Sequence, residues 1–208
     1  MLISHPPKFL QRVYSSLIWN IPNNDKGVYL TFDDGPTPKV TELVLDLLQE
    51  YNAKATFFCL GKNIKKHNDI YNRILREGHR VGNHSQNHLN GWKSNNSLYV
   101  KDALLSSQYI KSNLYRPPYG KINTQQIRRL KKRFQIIIWS ILTRDYDQKI
   151  SKGKCLSIAA TNLKSGSILV FHDSIKAERN MIFALKGVLE YCQENKLNCL
   201  AIPEKINQ

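Results

Sequence analysis

Two histidines and a pair of adjacent carboxylates are the residues of this chain best suited to chemistry. His84 and His88 stand four positions apart, and Asp33 and Asp34 lie upstream of them. Two imidazoles and one carboxylate fill three positions of a tetrahedral metal site and leave the fourth for water or a substrate, as in catalytic rather than structural zinc sites. The residue types therefore predict metal-assisted chemistry, although a single histidine pair is a weak signal without supporting residues.

Supporting residues follow segments that have the pattern of strands. The carboxylate pair comes directly after an apolar β-type run and before the chain-breaking pair Gly35-Pro36. Arg116 stands before two prolines, which bias the backbone towards an extended conformation. His172 and Asp173 end another apolar run, and we interpret Asp173 as the N-cap of the segment that follows. Because polar groups at strand ends are typical of α/β active sites, these residues are expected to share one site.

Five short motifs occur in the order and with the spacing of one known family. They are Thr31-Phe32-Asp33-Asp34-Gly35-Pro36, His84-Ser85-Gln86-Asn87-His88, Arg116-Pro117-Pro118-Tyr119, Trp139-Ser140-Ile141-Leu142-Thr143-Arg144-Asp145-Tyr146 and Leu169-Val170-Phe171-His172. On these motifs the chain resembles the polysaccharide deacetylases, also called the NodB-homology domain or carbohydrate esterase family 4, from about residue 26 to residue 203. The fourth motif departs from the family twice, since Leu142 stands where an acidic residue is common and Tyr146 replaces the usual tryptophan.

The resemblance implies a ligand set and a general base. Asp34, His84 and His88 are expected to hold one divalent ion, zinc by the ligand types, with cobalt or nickel able to substitute. Such an ion lowers the pKa of a bound water and polarises a carbonyl oxygen. Asp33 is then the expected general base, and Arg116 would keep it ionised and oriented.

The resemblance also implies a general acid and the residues around the substrate. His172 is expected to protonate the leaving amine, with its pKa supported by Asp145. The two prolines before Tyr119 have no N–H, so Tyr119 offers the first backbone donor for the oxyanion. The residues expected to bind the substrate are Tyr119, Tyr146, Leu169 and Trp139.

These roles predict a metal-dependent hydrolase that removes N-acetyl groups from N-acetylglucosamine-containing poly- or oligosaccharides, peptidoglycan-like or chitin-like, and releases acetate. An O-acetyl esterase acting at the same site is an alternative. The formal net charge of +15 and the run Arg128-Arg129-Leu130-Lys131-Lys132-Arg133 indicate a second class, a basic protein on the same fold that binds an anionic polymer, a membrane surface or nucleic acid. We rank this class second and do not expect specific nucleic-acid binding, because no nucleic-acid motif accompanies the charge. The sequence leaves the oligomeric state open.

Strand-like and helix-like segments alternate along the chain and predict an α/β protein with a parallel sheet. The predicted strands are residues 28–32, 55–60, 80–83, 114–116, 135–139, 168–171 and 198–202, and the predicted helices are residues 40–51, 70–77, 98–111, 125–132 and 179–195. The resemblance implies a distorted, incomplete (β/α) barrel of seven or eight strands with the site at the C-terminal strand ends. We assign residues 26–208 to the catalytic domain. Residues 1–25 are assigned to an amphipathic extension that packs on it through a helical apolar stripe from Phe9 to Ile18.

The cysteines and the N-terminal residues carry less information. The spacing of Cys59, Cys155, Cys192 and Cys199 includes no C-x-x-C pair, which favours free thiols. The first 20 residues lack the apolar run and cleavage site of a signal peptide, and no segment reaches membrane-spanning length. A cytoplasmic location is therefore the default expectation, with contact of the basic N-terminal helix with a membrane surface as the alternative for that helix.

Overall fold

A curled parallel sheet forms the centre of the protein, for which a computed structural model describes residues 4–22 and 26–206. The strands within these ranges are β1 (Gly27–Asp33), β2 (Ala55–Cys59), β3 (Arg80–Asn83), β4 (Leu114–Tyr115), β5 (Gln135–Ile136), β6 (Ile141–Leu142), β7 (Ile168–His172) and β8 (Asn198–Cys199). Their order is β5-β4-β3-β2-β1-β7-β6, and β8 pairs with the first two residues of β1. Every pair is parallel, so all strands end at one edge of the sheet.

Helices connect the strands and cover the sheet. They are α1 (Lys8–Val13), α2 (Val40–Glu50), α3 (Gly61–Lys66), α4 (Asn68–Arg76), α5 (Asn96–Leu105), α6 (Thr124–Leu130), α7 (Lys152–Ala160) and α8 (Glu178–Glu194). Several start at a side-chain cap, since Asn95, Asn123 and Ser151 each accept a backbone N–H from the first turn of α5, α6 and α7. The alternation of strands and helices agrees with the predicted α/β class.

The two faces of the central strands have different neighbours because strand side chains alternate. On one face, Phe32 of β1 stacks between Phe57 and Phe171, with ring centroids 5.0 and 5.7 Å apart, in a core that includes buried residues of α2 and α8. On the other face, Asp33 lies in register with His172 of β7. All seven residues of β1 are buried, as expected for a parallel strand covered on both sides.

The segment after α1 forms backbone bridges with residues next to strands β5 and β7. Ile18 forms a parallel bridge with Ile137, and Asn20 forms an antiparallel bridge with Ser167. These contacts begin only after α1 ends at Val13, whereas Phe9 in the helix is 76% exposed. The predicted continuous helical stripe from Phe9 to Ile18 is therefore wrong, because its buried part adopts bridge geometry instead of helix.

The predicted fold class, a distorted and incomplete barrel with the site at the strand ends, is confirmed by the sheet order and its curl. Strand β6 and helices α3 and α7 are additions that the sequence pattern did not predict. All four cysteines are free thiols, as expected. Within the described residues, no helix is both long and apolar enough to span a bilayer.

Candidate active site

The predicted site residues come from the C-terminal ends of neighbouring strands. Asp33 is the last residue of β1, and Asp34 follows it with a φ of 84°, a left-handed conformation that Asp tolerates better than most residues. His84 follows β3 directly, and His88 lies at the end of a tight loop with a φ of 63°. His172 ends β7. The parallel sheet therefore brings together residues that are far apart in sequence.

Asp34, His84 and His88 present three ligand atoms within 4.8 Å of one another. Asp34 Oδ1 lies 3.1 Å from His88 Nε2 and 3.7 Å from His84 Nε2. This oxygen is buried, and within the described part of the chain it accepts no well-oriented hydrogen bond, which is costly for a carboxylate without a cation. His84 Nδ1 lies 2.8 Å from the carbonyl oxygen of Arg116. With Nδ1–H donating to that carbonyl, the Nε2 lone pair faces Asp34, as in metal-binding histidines.

The protonation states of these groups also suit a cation. Burial lowers the pKa of His84 to about 4, against smaller opposing effects of Asp33 and Asp34, so its ring is neutral at pH 7. Burial alone raises the pKa of Asp34, but the nearby imidazoles, His88 foremost, lower it below its usual range. A neutral imidazole and an ionised carboxylate are the forms that bind metal. The donor set therefore fits a divalent ion.

Asp33 has a different partner from Asp34. Arg116 is fully buried, and its guanidinium donates to Asp33 Oδ1 at 2.8 Å and to Thr31 Oγ1 at 2.6 Å. The guanidinium also donates to the carbonyl of Ile138 and lies 4.1 Å from the ring centroid of Phe58. Asp33 Oδ2 is 4.0 Å from His84 Nε2, so the second carboxylate oxygen lies beside the metal-ligand set. A charged partner on one oxygen leaves the other available to accept a proton.

His172 is paired with a buried carboxylate. Its Nδ1 lies 2.8 Å from Asp145 Oδ1, and its backbone N–H donates to Asp145 Oδ2 at 2.6 Å. Burial by itself lowers the pKa of His172, but the charge and hydrogen bond of Asp145 outweigh it and raise the pKa to about 9. Tyr146 contacts the imidazole edge-to-face, with centroids 4.9 Å apart. The ring is thus held in one orientation and is protonated at neutral pH.

Asp33, Asp34, His84, His88 and His172 line one cavity of about 360 Å³, together with aromatic and apolar residues, whereas Arg116 and Asp145 are buried behind them. Of the predicted substrate-binding residues, Tyr119, Trp139 and Tyr146 line it. Leu169 does not, because it is fully buried in the core shared with α2 and α8, and the prediction for Leu169 is wrong. Val170 lines the cavity instead, since residues two apart on a strand share a face and Val170 is two positions before His172.

Asp173 has a role that the sequence interpretation missed. It does not cap a helix, because α8 starts at Glu178 with Ala177 as its N-cap residue. Instead Asp173 is fully buried and accepts the N–H of Gly35 at 3.0 Å and the Thr41 hydroxyl at 2.5 Å. Burial raises its pKa to about 8. Asp173 therefore tethers the turn that directly follows Asp34.

The loop between the two histidines is also held by residues outside the motifs. Asp102 of α5 accepts the backbone N–H of Asn87 at 3.0 Å and its side-chain amide at 2.6 Å. Asn83 Oδ1 accepts the backbone N–H of Ser85, and Ser85 Oγ accepts that of His88. The sequence did not indicate the contact between Asp102 and Asn87, because this contact depends on where α5 packs.

The fold is shared with solved carbohydrate-modifying hydrolases. A peptidoglycan N-acetylglucosamine deacetylase in complex with 4-naphthalen-1-yl-N-oxidanyl-benzamide matches with a TM-score of 0.85 and 29% identity, over 95% of each chain. The peptidoglycan deacetylase PdaC from Bacillus subtilis matches with a TM-score of 0.78 and 26% identity, over 86% of this chain and 89% of that one. The class of protein is therefore a hydrolytic deacetylase built on the NodB-homology fold.

Sequence relatives lead to the same family. A peptidoglycan-N-acetylglucosamine deacetylase from Bacillus cereus is 32% identical over 89% of this chain and 91% of its own length. A chitooligosaccharide deacetylase from Azorhizobium caulinodans is 30% identical over 80% and 83%. Another Bacillus cereus deacetylase is longer, and this chain spans 58% of it. The polysaccharide deacetylase signature matches residues 20–134. The chain belongs to the polysaccharide deacetylase family.

Proposed function

We propose that this chain is a metal-dependent deacetylase that removes N-acetyl groups from N-acetylglucosamine-containing glycans, peptidoglycan-like or chitin-like. The products are acetate and a free amine on the sugar. The observation that carries the proposal is one cavity lined by three kinds of group: a ligand set, an arginine-paired carboxylate and a carboxylate-paired imidazole. The names of the relatives support the substrate class.

Asp34, His84 and His88 would hold the ion, for which zinc is the proposed species and cobalt or nickel are substitutes. A bound ion would supply Lewis acidity towards the acetyl carbonyl and acidify a water in the site. The three donor atoms already converge on one point, since they lie within 4.8 Å of one another. The hydrogen bond from His84 to the carbonyl of Arg116 orients the imidazole in advance.

The pairs Asp33–Arg116 and His172–Asp145 carry out proton transfer. Asp33 accepts a proton from the attacking water through the oxygen that Arg116 does not engage. His172, protonated at neutral pH beside Asp145, donates a proton to the leaving nitrogen as the C–N bond breaks. The backbone N–H of Tyr119 donates to the oxyanion that forms between these two steps. Water and amide are thereby converted to acetate and amine with no net gain or loss of protons by the protein.

The decisive experiment measures acetate release from chitin oligomers, peptidoglycan fragments and O-acetylated sugars by protein stripped with a chelator and reloaded with zinc. We expect turnover of the N-acetylated substrates that is lost on stripping and restored by zinc. Full turnover by metal-free protein would contradict the metal-dependent proposal. Turnover confined to the O-acetylated sugars would favour the esterase alternative.

A matched control uses two histidines of this chain. His88→Ala should abolish retention of zinc, measured by elemental analysis. His67→Ala should leave it intact, because His67 lies in the turn between α3 and α4, outside the ligand set. Equal zinc content in both variants would remove His88 from the ligand set.

A further inference from the structure

Helix α1 turns two kinds of side chain towards solvent. Successive residues of a helix lie about 100° apart around its axis, so Lys8 and Arg12 share one side and Phe9 and Val13 share the side next to it. All four residues are exposed, Phe9 to 76% and Val13 to 58%. Leu10, on the inner side of the helix, packs against the core. We call Lys8, Phe9, Arg12 and Val13 the α1 patch.

The α1 patch is held at a fixed position on the protein. Before the helix, the carbonyl oxygen of Ser4 accepts the backbone N–H of Leu142 at 2.8 Å. After the helix, the indole N–H of Trp19 donates to the carbonyl oxygen of Tyr14 at 3.1 Å. A patch fixed on both sides presents its cations and its apolar side chains together, with little ordering of the backbone left to occur on binding.

A cavity of about 490 Å³ lies beside the patch. Lys8 and Arg12 form part of its wall, together with the polar residues Gln11 and Ser15. No described residue that lines this cavity is an Asp or a Glu, and within the described part of the chain neither Lys8 nor Arg12 forms an ion pair. A cavity with two cations and no carboxylate fits an anionic group such as a phosphate.

The charge of the surrounding sequence points to the same kind of ligand. The first acidic residue of the sequence is Asp25, so no carboxylate within the N-terminal segment neutralises Lys8 or Arg12. Cations alone would attract any polyanion, but the exposed side chains of Phe9 and Val13 stay in water beside a hydrated polymer. Cations next to exposed apolar side chains are typical of helices that lie on anionic membranes, where the charges stay at the headgroups and the apolar groups enter the acyl boundary.

We infer that the α1 patch docks the protein on a membrane that contains anionic phospholipids. The phosphate of a lipid headgroup occupies the cavity beside Lys8 and Arg12, while Phe9 and Val13 enter the boundary of the acyl region. None of these four residues lines the catalytic cavity. The inference therefore goes beyond the proposed function and does not depend on it.

The test measures co-sedimentation of the protein with vesicles of equal parts phosphatidylglycerol and phosphatidylcholine, and with vesicles of phosphatidylcholine alone. The wild type should bind the anionic vesicles and bind the neutral ones much more weakly. Phe9→Ala should weaken binding about tenfold, a loss within what burial of a phenylalanine side chain provides. Lys8→Gln and Arg12→Gln should each weaken it about fivefold, as expected for a cation near an anionic surface. No binding by the wild type, or an unchanged affinity of Phe9→Ala, would overturn the inference.

Two matched controls separate the patch from the net charge and from exposed apolar residues in general. Lys65→Gln combined with Lys66→Gln, both exposed on α3, removes the same charge as Lys8→Gln combined with Arg12→Gln. Leu75→Ala removes a side chain on α4 that is 44% exposed. Both controls should bind anionic vesicles like the wild type, and circular dichroism verifies that every variant is folded. Equal losses in the α3 and α1 charge variants would assign the binding to the net charge and contradict the inference.

Two further measurements distinguish the membrane from other occupants. Glycerol phosphate, at the same phosphate concentration as the vesicles, should not release the bound protein, and release would assign the cavity to a soluble phosphate instead. Sedimentation velocity without vesicles should give the same oligomeric state for the wild type and Phe9→Ala. A dimer that dissociates in Phe9→Ala would assign the patch to a second copy of the chain. None of these readouts requires turnover, so failure of the proposed function leaves the test intact.

Discussion

At the scale of single residues, the site separates the tasks of four carboxylates by giving each a different partner. Asp33 is paired with a buried guanidinium, Asp34 with two imidazoles, and Asp145 with one imidazole. Among the described residues, the hydrogen-bond donors to Asp173 are neutral, a backbone N–H and a hydroxyl. Environments that push the protonation of similar groups apart are what acid–base catalysis requires. The proposed function gives these carboxylates different tasks: general base for Asp33, metal ligand for Asp34 and orienting group for Asp145, while Asp173 tethers the turn after Asp34.

The division between Asp33 and Asp34 predicts the behaviour of Asp33→Asn. The amide keeps an acceptor for Arg116 but cannot take a proton, so turnover should fall by the ~10²–10⁴-fold typical of general acid–base catalysis. Zinc content should stay at the wild-type level, because Asp33 is not in the ligand set. The measurements are kcat and elemental analysis on the same preparation.

The control for this variant is Asp46→Asn, which removes an ionised oxygen at the surface, where the Asp46 side chain is 61% exposed and pairs with Arg73. It should leave both kcat and zinc content unchanged. Loss of zinc in Asp33→Asn would show that Asp33 is a ligand and would require a different base.

The pairing of His172 with Asp145 predicts a pH dependence. Because the folded-state pKa is raised to about 9 from 6.5, the pair's contribution to folding stability is complete below pH 6.5 and is lost as the pH rises through 9. If His172 is the general acid, kcat should decline on the alkaline side near pH 9. In Asp145→Asn, no carboxylate charge opposes the effect of burial on His172. The pKa of His172 should therefore fall, and the alkaline limb of the kcat profile should move to lower pH. A limb at the same pH in both proteins would exclude His172 as the titrating acid.

At the scale of elements, the turn after β1 is the part on which the site most depends. It carries Asp34 and is anchored to the end of β7 through the Gly35 N–H and Asp173. A Cβ at position 35 would lie 1.9 Å from Asp173 Oδ2, and Asp173 is held on its other side by Thr41. A side chain at this glycine therefore has to displace the tether.

Gly35→Ala should accordingly destabilise the protein by about 1–3 kcal/mol, as overpacking of a buried site does, and should weaken zinc retention through Asp34. Gly153→Ala in α7 is the matched control, since no described residue beyond its chain neighbours and its own helix lies within 4 Å of the added Cβ and alanine is the better helix former. It should be neutral or stabilise by up to about 1 kcal/mol. Urea unfolding measures both, and equal midpoints for the two variants would refute the role of the turn.

At the scale of the whole molecule, the dominant electrostatic feature is a formal net charge of +15. The basic run 128–133 is exposed at every charged position, whereas Leu130 within it is buried. This is the arrangement of a solvated helix end, and none of these cations lines the catalytic cavity. The run 128–133 is therefore not part of the candidate site, and exposed charge of this kind acts through long-range electrostatic attraction.

Reversal of Arg128, Arg129, Lys131, Lys132 and Arg133 to glutamate should lower binding to a polyanion and flatten its dependence on salt concentration. Turnover of a neutral chitin oligomer should not change, because the reversed residues are outside the cavity. The measurements are retention on a polyanion column at several salt concentrations and kcat/KM. Loss of turnover in this variant, with the fold intact, would place the basic run in the catalytic function.

The sequence by itself predicted the candidate site residues and the alternation of strands and helices. Asp33, Asp34, His84, His88, Arg116 and His172 were identified from residue type, from their positions after strand-like runs and from the order of the five motifs, and the strand centres followed from local periodicity. These features are local, because propensity and alternation depend on neighbouring residues. The two-residue strand β6 and the six-residue helix α3 were not predicted, since neither is long enough to show a period of its own.

Only the tertiary structure decided which residues meet. Leu169 and Val170 are equally apolar in sequence, and the face of β7 that the curled sheet encloses selects Val170 for the cavity. Asp173 reaches a backbone N–H that is 138 residues away, and Tyr14 lines the same cavity as Trp92. These contacts arise from packing between distant segments, whose relative positions are set by the whole core and leave no pattern in the local sequence.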